Sequence, residues 1–222
     1  IKNIKRIRYT TSHPVDFTNE LIELHRDSDK LMPFVHLPVQ SGSNKILKNM
    51  NRKHTVEEYI ELVEKLKLVN PLIKFSSDFI IGYPGETDSD FEKTLDLLTK
   101  IKFINCYSFK YSPRPGTPAA KFKEIDEVVA KERLLFFQKT ADKIKLEHKK
   151  SLFNLNSTVL FENKMKNGHN QYFGRDIYSN SIIVNSNENL KGKVKEVKII
   201  KGNKNTLYGQ ILEKINKADF AA

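Results

Sequence analysis

Apolar and polar positions along the first 150 residues change period in a regular order. IKRIRYTT reads as a short strand ending at Ser12, His13 and Pro14, followed by a helical run from about Asp16 to Leu24. PFVHLPVQ reads as a second strand that stops on the small and polar residues Gln40, Ser41, Gly42 and Ser43. HTVEEYIELVEKLKLV returns to helical spacing, with Val56, Ile60, Val63 and Leu66 or Lys67 on one side. The run Phe79, Ile80, Ile81 has no polar alternation, so it predicts a strand covered on both faces, and Gly82, Pro84 and Gly85 end it. A fourth helix is expected over about Ser89 to Ile101, with a Ser89 and Glu92 capping box and Phe91, Leu95 and Leu98 on its stripe. FINCYSFKYS alternates as a strand, PRPGTPAA reads as a turn-rich loop, and a long helix is expected from about Asp126 to Lys150.

Past Lys150 the rhythm shortens. STVLFE, QYFGR, SIIVN, GKVKEVKII and TLYGQIL are five strand candidates separated by Asn, Gly and Ser clusters, the pattern of a small antiparallel barrel. The earlier alternation of strand and helix implies part of a β/α barrel or an open parallel sheet. The fold class is therefore α/β, with segments 1–151, 152–215 and a tail at 216–222.

Composition narrows the function classes. The chain has 222 residues, a hydrophobic content of 39% and no apolar run near the length that crosses a bilayer, which favours a cytoplasmic protein without a membrane partner. It begins at Ile1 on the approach to a strand, and the expectation is the later part of a longer polypeptide. A single cysteine, Cys106, excludes an internal disulfide framework and a cysteine metal cluster; its alternating strand context predicts a small, buried side chain. The net charge of +11 is concentrated toward the end: residues 151–222 carry 11 Lys and Arg against 6 Asp and Glu. A small basic segment favours a polyanionic partner.

Residue chemistry points to the strand ends, where ligands collect in parallel α/β folds. Gln40 and Ser41 can bond ribose hydroxyls or an amino-acid group, although Ser41 and Ser43 also suit the cap of a following helix. Gly82 and Gly85 would let main chain approach a flat ring or merely serve a turn. Asp78 inside an apolar strand must be paired or face a cavity. Glu86 could instead stabilise the start of a helix. Arg114, between two prolines, is a fixed cation for a carboxylate or phosphate, and His13 either faces the cavity or makes a structural hydrogen bond. In the tail, Lys193, Lys195 and Lys198 approach strand alternation near Tyr172, Phe173 and Arg175, the cations and rings of RNA-loop recognition.

RYTTSHP, HLPVQSGS, MNRKHT, DFIIGYPGET and YSPRPGTPAA, in that order, resemble the motifs of the radical SAM methylthiotransferases, and TTSHP with HLPVQSGS resembles the branch that modifies isopentenyladenosine in tRNA. The tail is similar to the OB-like TRAM domain of those proteins. The resemblance implies a partial radical SAM barrel followed by a TRAM barrel. It implies an S-adenosylmethionine wall at Gln40, Ser41, Asp78, Gly82, Gly85 and Glu86, and RNA contacts at His13, Arg114, Arg175, Lys193 and Lys195. The whole enzyme would reduce SAM to a 5'-deoxyadenosyl radical and place a methylthio group on C2 of isopentenyladenosine beside the anticodon. Its partners would be the tRNA anticodon stem-loop and a reductant protein, with the enzyme a monomer. The family's two [4Fe-4S] clusters need thiolates that one cysteine does not supply, so no metal ligand and no catalytic residue is assigned here, and the chain by itself is expected to be inactive. Two other readings remain: a non-catalytic RNA-binding module, and a non-radical β/α-barrel enzyme using GYPGET as a phosphate cradle.

Overall fold

The computed structural model describes residues 4–10, 13–166 and 168–212; Ser12 and the expected tail at 216–222 lie outside the described residues. The chain divides into two compact units, Ile1–Lys145 and Leu146–Ala222. The division falls within the last long helix rather than after it, a few residues before the expected boundary.

The first unit is built on three parallel strands in the order β1 (Phe34–His36), β2 (Lys74–Ile81), β3 (Asn105–Lys110). Helices α1 (Asn19–Asp27), α2 (Asn44–Asn49), α3 (Val56–Val69), α4 (Asp88–Ile101) and α5 (Glu127–Ser151) follow or separate them. Their limits come from local chemistry. Thr55 caps α3 in a reciprocal box with Glu58, as Thr87 does for α4 with Asp90. The α4 box therefore lies two residues earlier than Ser89 and Glu92, because Thr87 holds the extended backbone a cap requires while Ser89 is already helical. Among the described residues of IKRIRYTT no ladder forms; Ile7 and Thr10 make isolated parallel bridges, to Leu31 and His36.

One face of the sheet meets the helices. Val35, Phe75, Phe79 and Ile81 pack with Tyr59, Val63, Leu66, Leu98 and Phe137, each almost fully buried. Burial of this kind stabilises by roughly 25 cal/mol per Å² of apolar surface. The other face is not covered in the same way: His36, Asp78 and Ile80 are partly accessible, and Tyr107 and Phe109 are exposed. The run Phe79, Ile80, Ile81 is thus buried at alternate positions rather than throughout, since Ile80 borders a cavity.

The second unit is a closed barrel of β4 (Asn156–Lys164), β5 (Gln171–Arg175), β6 (Ser181–Asn185), β8 (Thr206–Ile211) and β7 (Val194–Gly202), in that spatial order. Neighbouring strands are antiparallel except β6 and β8, which run parallel to close the ring. Val159, Phe161, Tyr172, Ile182, Val184, Val197, Ile199 and Leu207 fill the interior. Gly174 and Gly209 belong to this packing: a Cβ would lie 2.7 Å from Val159 Cγ1 in the first case and 2.4 Å from Val197 Cγ1 in the second. No helix among the described residues is long and apolar enough to cross a membrane.

Candidate functional site

A cavity of about 860 Å³ opens at the carboxyl ends of β2 and β3 in the first unit, a volume within the ordinary range for small-molecule sites. Gln40, Asp78 and Arg114 all line it, joined by Arg52, Tyr83, Phe109 and Tyr111. Three sequence-selected residues from three separate motifs therefore meet in one hollow.

Gln40 is held there at a conformational cost. Its φ of 77° lies in the left-handed region that residues other than glycine seldom adopt. Two main-chain hydrogen bonds fix it to β2: its N–H donates to the Asp78 carbonyl at 2.9 Å, and its carbonyl accepts from Ile80 N–H at 3.0 Å. The rest of the motif anchors this bend. Ser41 Oγ accepts from Ser43 N–H and lies 3.4 Å from Thr94 Oγ1, while Gly42 N–H donates to the same Thr94 oxygen. A Cβ on Gly42 would sit 2.4 Å from the Lys93 carbonyl oxygen, so only glycine permits this approach to α4. Ser43 caps α2 and donates to Asp90 Oδ1 at 2.7 Å. Ser41, nearly inaccessible, thus sits beneath the bend and not in the cavity wall.

Asp90 is the hub of that anchor. Besides Ser43 it accepts from Lys45 Nζ at 3.0 Å and from the Thr87 N–H and hydroxyl. Burial alone would raise its carboxyl pKa, but the bonds from Thr87, Ser43 and Lys45 outweigh this and hold it well below the usual range.

The loop after β2 is organised by a second buried carboxylate. Glu86 Oε1 accepts from Gly82 N–H at 3.2 Å and from Arg133 Nη1 of α5 at 2.9 Å, and Arg133 also reaches Asp88. Desolvation pushes the Glu86 carboxyl upward against the pull of Arg133. Gly82 has φ of 77°, and an added Cβ would lie 2.9 Å from that of Ala130. It borders a smaller hollow with Ala130, Glu124 and Tyr111. Gly85, with φ of 79° and open space where a Cβ would be, serves the turn, and its carbonyl accepts from Lys45 Nζ.

Asp78 faces inward. Its Oδ1 lies 3.5 Å from His36 Nε2, and His36 Nδ1 shares a 2.9 Å hydrogen bond with Ser76 Oγ. Desolvation lowers the pKa of the neighbouring Arg52 guanidinium, opposed by the Asp78 charge. On the opposite wall Tyr83 and Tyr111 meet edge to face at 4.9 Å, and the Tyr83 hydroxyl donates to the Asn49 carbonyl. The Tyr111 hydroxyl is buried and has no hydrogen-bond partner among the described residues, an orphan that a bound polar group would satisfy. Arg52, His36, Tyr83 and Tyr111 received no role in the sequence reading. Arg52 stands inside the quoted MNRKHT, and Tyr111 extends the Tyr107, Phe109 alternation, which are the signals that mark them.

The other selected residues lie elsewhere. His13 accepts from Val15 N–H and packs edge-on against His54 at 5.0 Å, without lining the large cavity. In the barrel, Arg175 pairs with Glu162 and lies 5.2 Å from the Phe173 ring centroid. Lys193 and Lys195 both lie 3.6 Å from Glu188. Tyr172, a neighbour in sequence, points into the core. Cys106 packs against the core of the first unit, and burial pushes its thiol pKa up. That is opposite to what a metal-binding thiolate requires, and no group of three metal-binding side chains exists among the described residues, so these residues do not fit an iron-sulfur cluster.

Residues 1–98 match the profile of the Radical SAM superfamily. Over nearly all its length the chain is similar to proteins named tRNA-2-methylthio-N(6)-dimethylallyladenosine synthase. It is 52% identical to that of Pelagibacter ubique over 96% of this chain, 50% identical to that of Rickettsia akari over 96%, and 49% identical to that of Ehrlichia canis over 95%. It spans 48% of each of these relatives, about half their length. The likeness to these synthases thus runs over 96% of the chain, and that to the Radical SAM superfamily over residues 1–98.

Proposed function

We propose that this chain supplies the later part of a SAM-binding barrel and an RNA-binding β-barrel to a tRNA methylthiotransferase. The observation that carries the reading is the convergence of Gln40, Asp78 and Arg114 on one cavity at the strand ends, in a chain about half identical to relatives named for that modification. Gln40 offers a donor and an acceptor for ribose or amino-acid groups, Asp78 an acceptor, and Arg52 and Arg114 cations for a carboxylate. Phe109 and Ile80 supply apolar wall for the adenine. When bound, SAM supplies the radical chemistry and methyl group of the family's reaction. Ser41, Gly82 and Glu86 act beneath the site, by fixing the backbone that presents Gln40 and closes the loop. Substrate is expected to be the anticodon stem-loop of a tRNA, in the cytoplasm.

The phosphate-cradle alternative is disfavoured by the GYPGET loop itself. Gly82 N–H already serves the Glu86 carboxylate, so it is not free to receive a phosphate oxygen.

Equilibrium dialysis of labelled SAM against the 222-residue chain tests the proposal. Saturable binding is expected, weakened at least roughly tenfold by Gln40→Ala and by Asp78→Ala, with the melting temperature of each variant measured alongside. Unchanged SAM affinity in both variants would remove the cavity from the reading.

A further inference from the structure

The outer wall of the barrel carries an ordered arrangement that the basic sequence pattern did not reveal. Tyr172 and Gly174 of β5, Ile182 and Val184 of β6, and Leu207 and Gly209 of β8 turn inward, so alternate residues turn outward together. Cross-strand register places Phe173 opposite Ile183, and Ile183 opposite Tyr208. The result is an apolar row of two rings and an aliphatic side chain over three adjacent strands, about 10 Å from end to end at ordinary strand spacing. A cation stands over each ring: Arg175 at 5.2 Å from the Phe173 centroid and Lys201 at 6.0 Å from that of Tyr208.

Carboxamides accompany the row. Gln171 pairs with Asn185 one outward step along from Phe173 and Ile183, and Gln210 is the next outward residue after Tyr208. Asn185 and Gln210 both border a polar hollow of about 970 Å³. Amides that donate and accept beside a stacking surface are suited to the edges of unpaired bases. Lys193 and Lys195 share the Glu188 carboxylate, and Arg175 is paired with Glu162, which offsets part of the attraction of all three for phosphate.

We infer that Phe173 and Tyr208 form a stacking platform for two splayed nucleobases of a single-stranded RNA loop, with Arg175 and Lys201 as its cations and Asn185 and Gln210 reading base edges. This rests on the reading of the chain as RNA-binding, and it moves the principal contact from Lys193 and Lys195 to the β5–β6–β8 wall. A duplex, whose bases are already stacked, does not fit such a row.

Fluorescence anisotropy with a short RNA stem-loop, and with a fully paired RNA of equal length, tests it on the complete chain at several salt concentrations. Phe173→Leu and Tyr208→Leu keep apolar bulk on the wall and so protect the fold. Each is expected to weaken stem-loop binding about tenfold with no change in salt slope, whereas K201E lowers both affinity and slope. The wild-type chain is expected to prefer the stem-loop to the duplex. Wild-type affinity in both leucine variants, or equal binding of duplex and stem-loop, overturns the platform while leaving RNA binding in place. Failure of the wild-type chain to bind either RNA overturns the platform and the RNA reading together.

Discussion

The two units place their polar side chains differently. In the first, buried carboxylates stand at the heart of the architecture: Asp90 gathers the starts of α2 and α4, and Glu86 with Arg133 ties the β2 loop to α5. In the barrel the interior is an apolar cluster, its buried carboxylate Asp176 is set in the β5–β6 turn where it accepts from Asn180, and the proposed RNA contacts lie on the outer wall. The difference teaches where tolerance lies. Substitutions near the cavity disturb folding and binding at once, whereas the barrel wall can change with its core intact.

The comparison is broken most severely by Phe161→Ala. A fully buried ring lost from the barrel should cost about 3 to 5 kcal/mol. Hydrogen exchange is expected to show faster amides in β4 to β8, with the protection of β1 to β3 retained; equal loss in both units would show that they do not differ in this way. Asp90→Ala comes next, at about 3 kcal/mol, because it strands Ser43, Thr87 and Lys45 as donors. Urea titration should register that loss, and Asp90→Asn should recover part of it.

The smallest effect is a pH dependence in the first unit. Burial, with His13 and Arg52 nearby, lowers the His54 pKa to about 4, against a weaker upward pull from Val39 and Glu58. The folded state therefore keeps the ring neutral while the unfolded chain protonates near the ordinary value of 6.5. Stability is fully present above that value and is lost as pH falls toward 4, by about 1 to 2 kcal/mol at pH 5. His25, lowered by desolvation, adds in the same direction. Melting temperatures measured from pH 7 to 5 should fall, and His54→Leu should flatten the curve; an unaltered slope in that variant would assign the dependence to other groups.

Much of this organisation was legible from residue pattern because it is local. Thr55 followed by Glu58 announces the start of α3, and Asn, Gly and Ser clusters separate the five barrel strands. What escaped depends on partners distant in sequence. Arg133 lies 47 residues from Glu86, and the parallel pairing of β6 with β8 is set by barrel closure rather than by either strand's composition. Gln40 was picked out for its hydrogen-bonding groups, but its left-handed backbone follows from contacts with β2 and from the crowding of Gly42 against α4, which no single-residue preference records. Likewise the aromatic pair Tyr172 and Phe173 looks equivalent in sequence, while the pleat sends one into the core and the other outward.

Closure of the barrel by β6 and β8 also limits how the unit can engage anything at all. Among the described residues its strands are hydrogen-bonded in a complete ring, so none is a free edge along its whole length on which an extended peptide or a second copy could build another ladder. Grip by outward side chains is then the favoured mode, and selectivity there can be retuned one residue at a time without touching the main-chain weave.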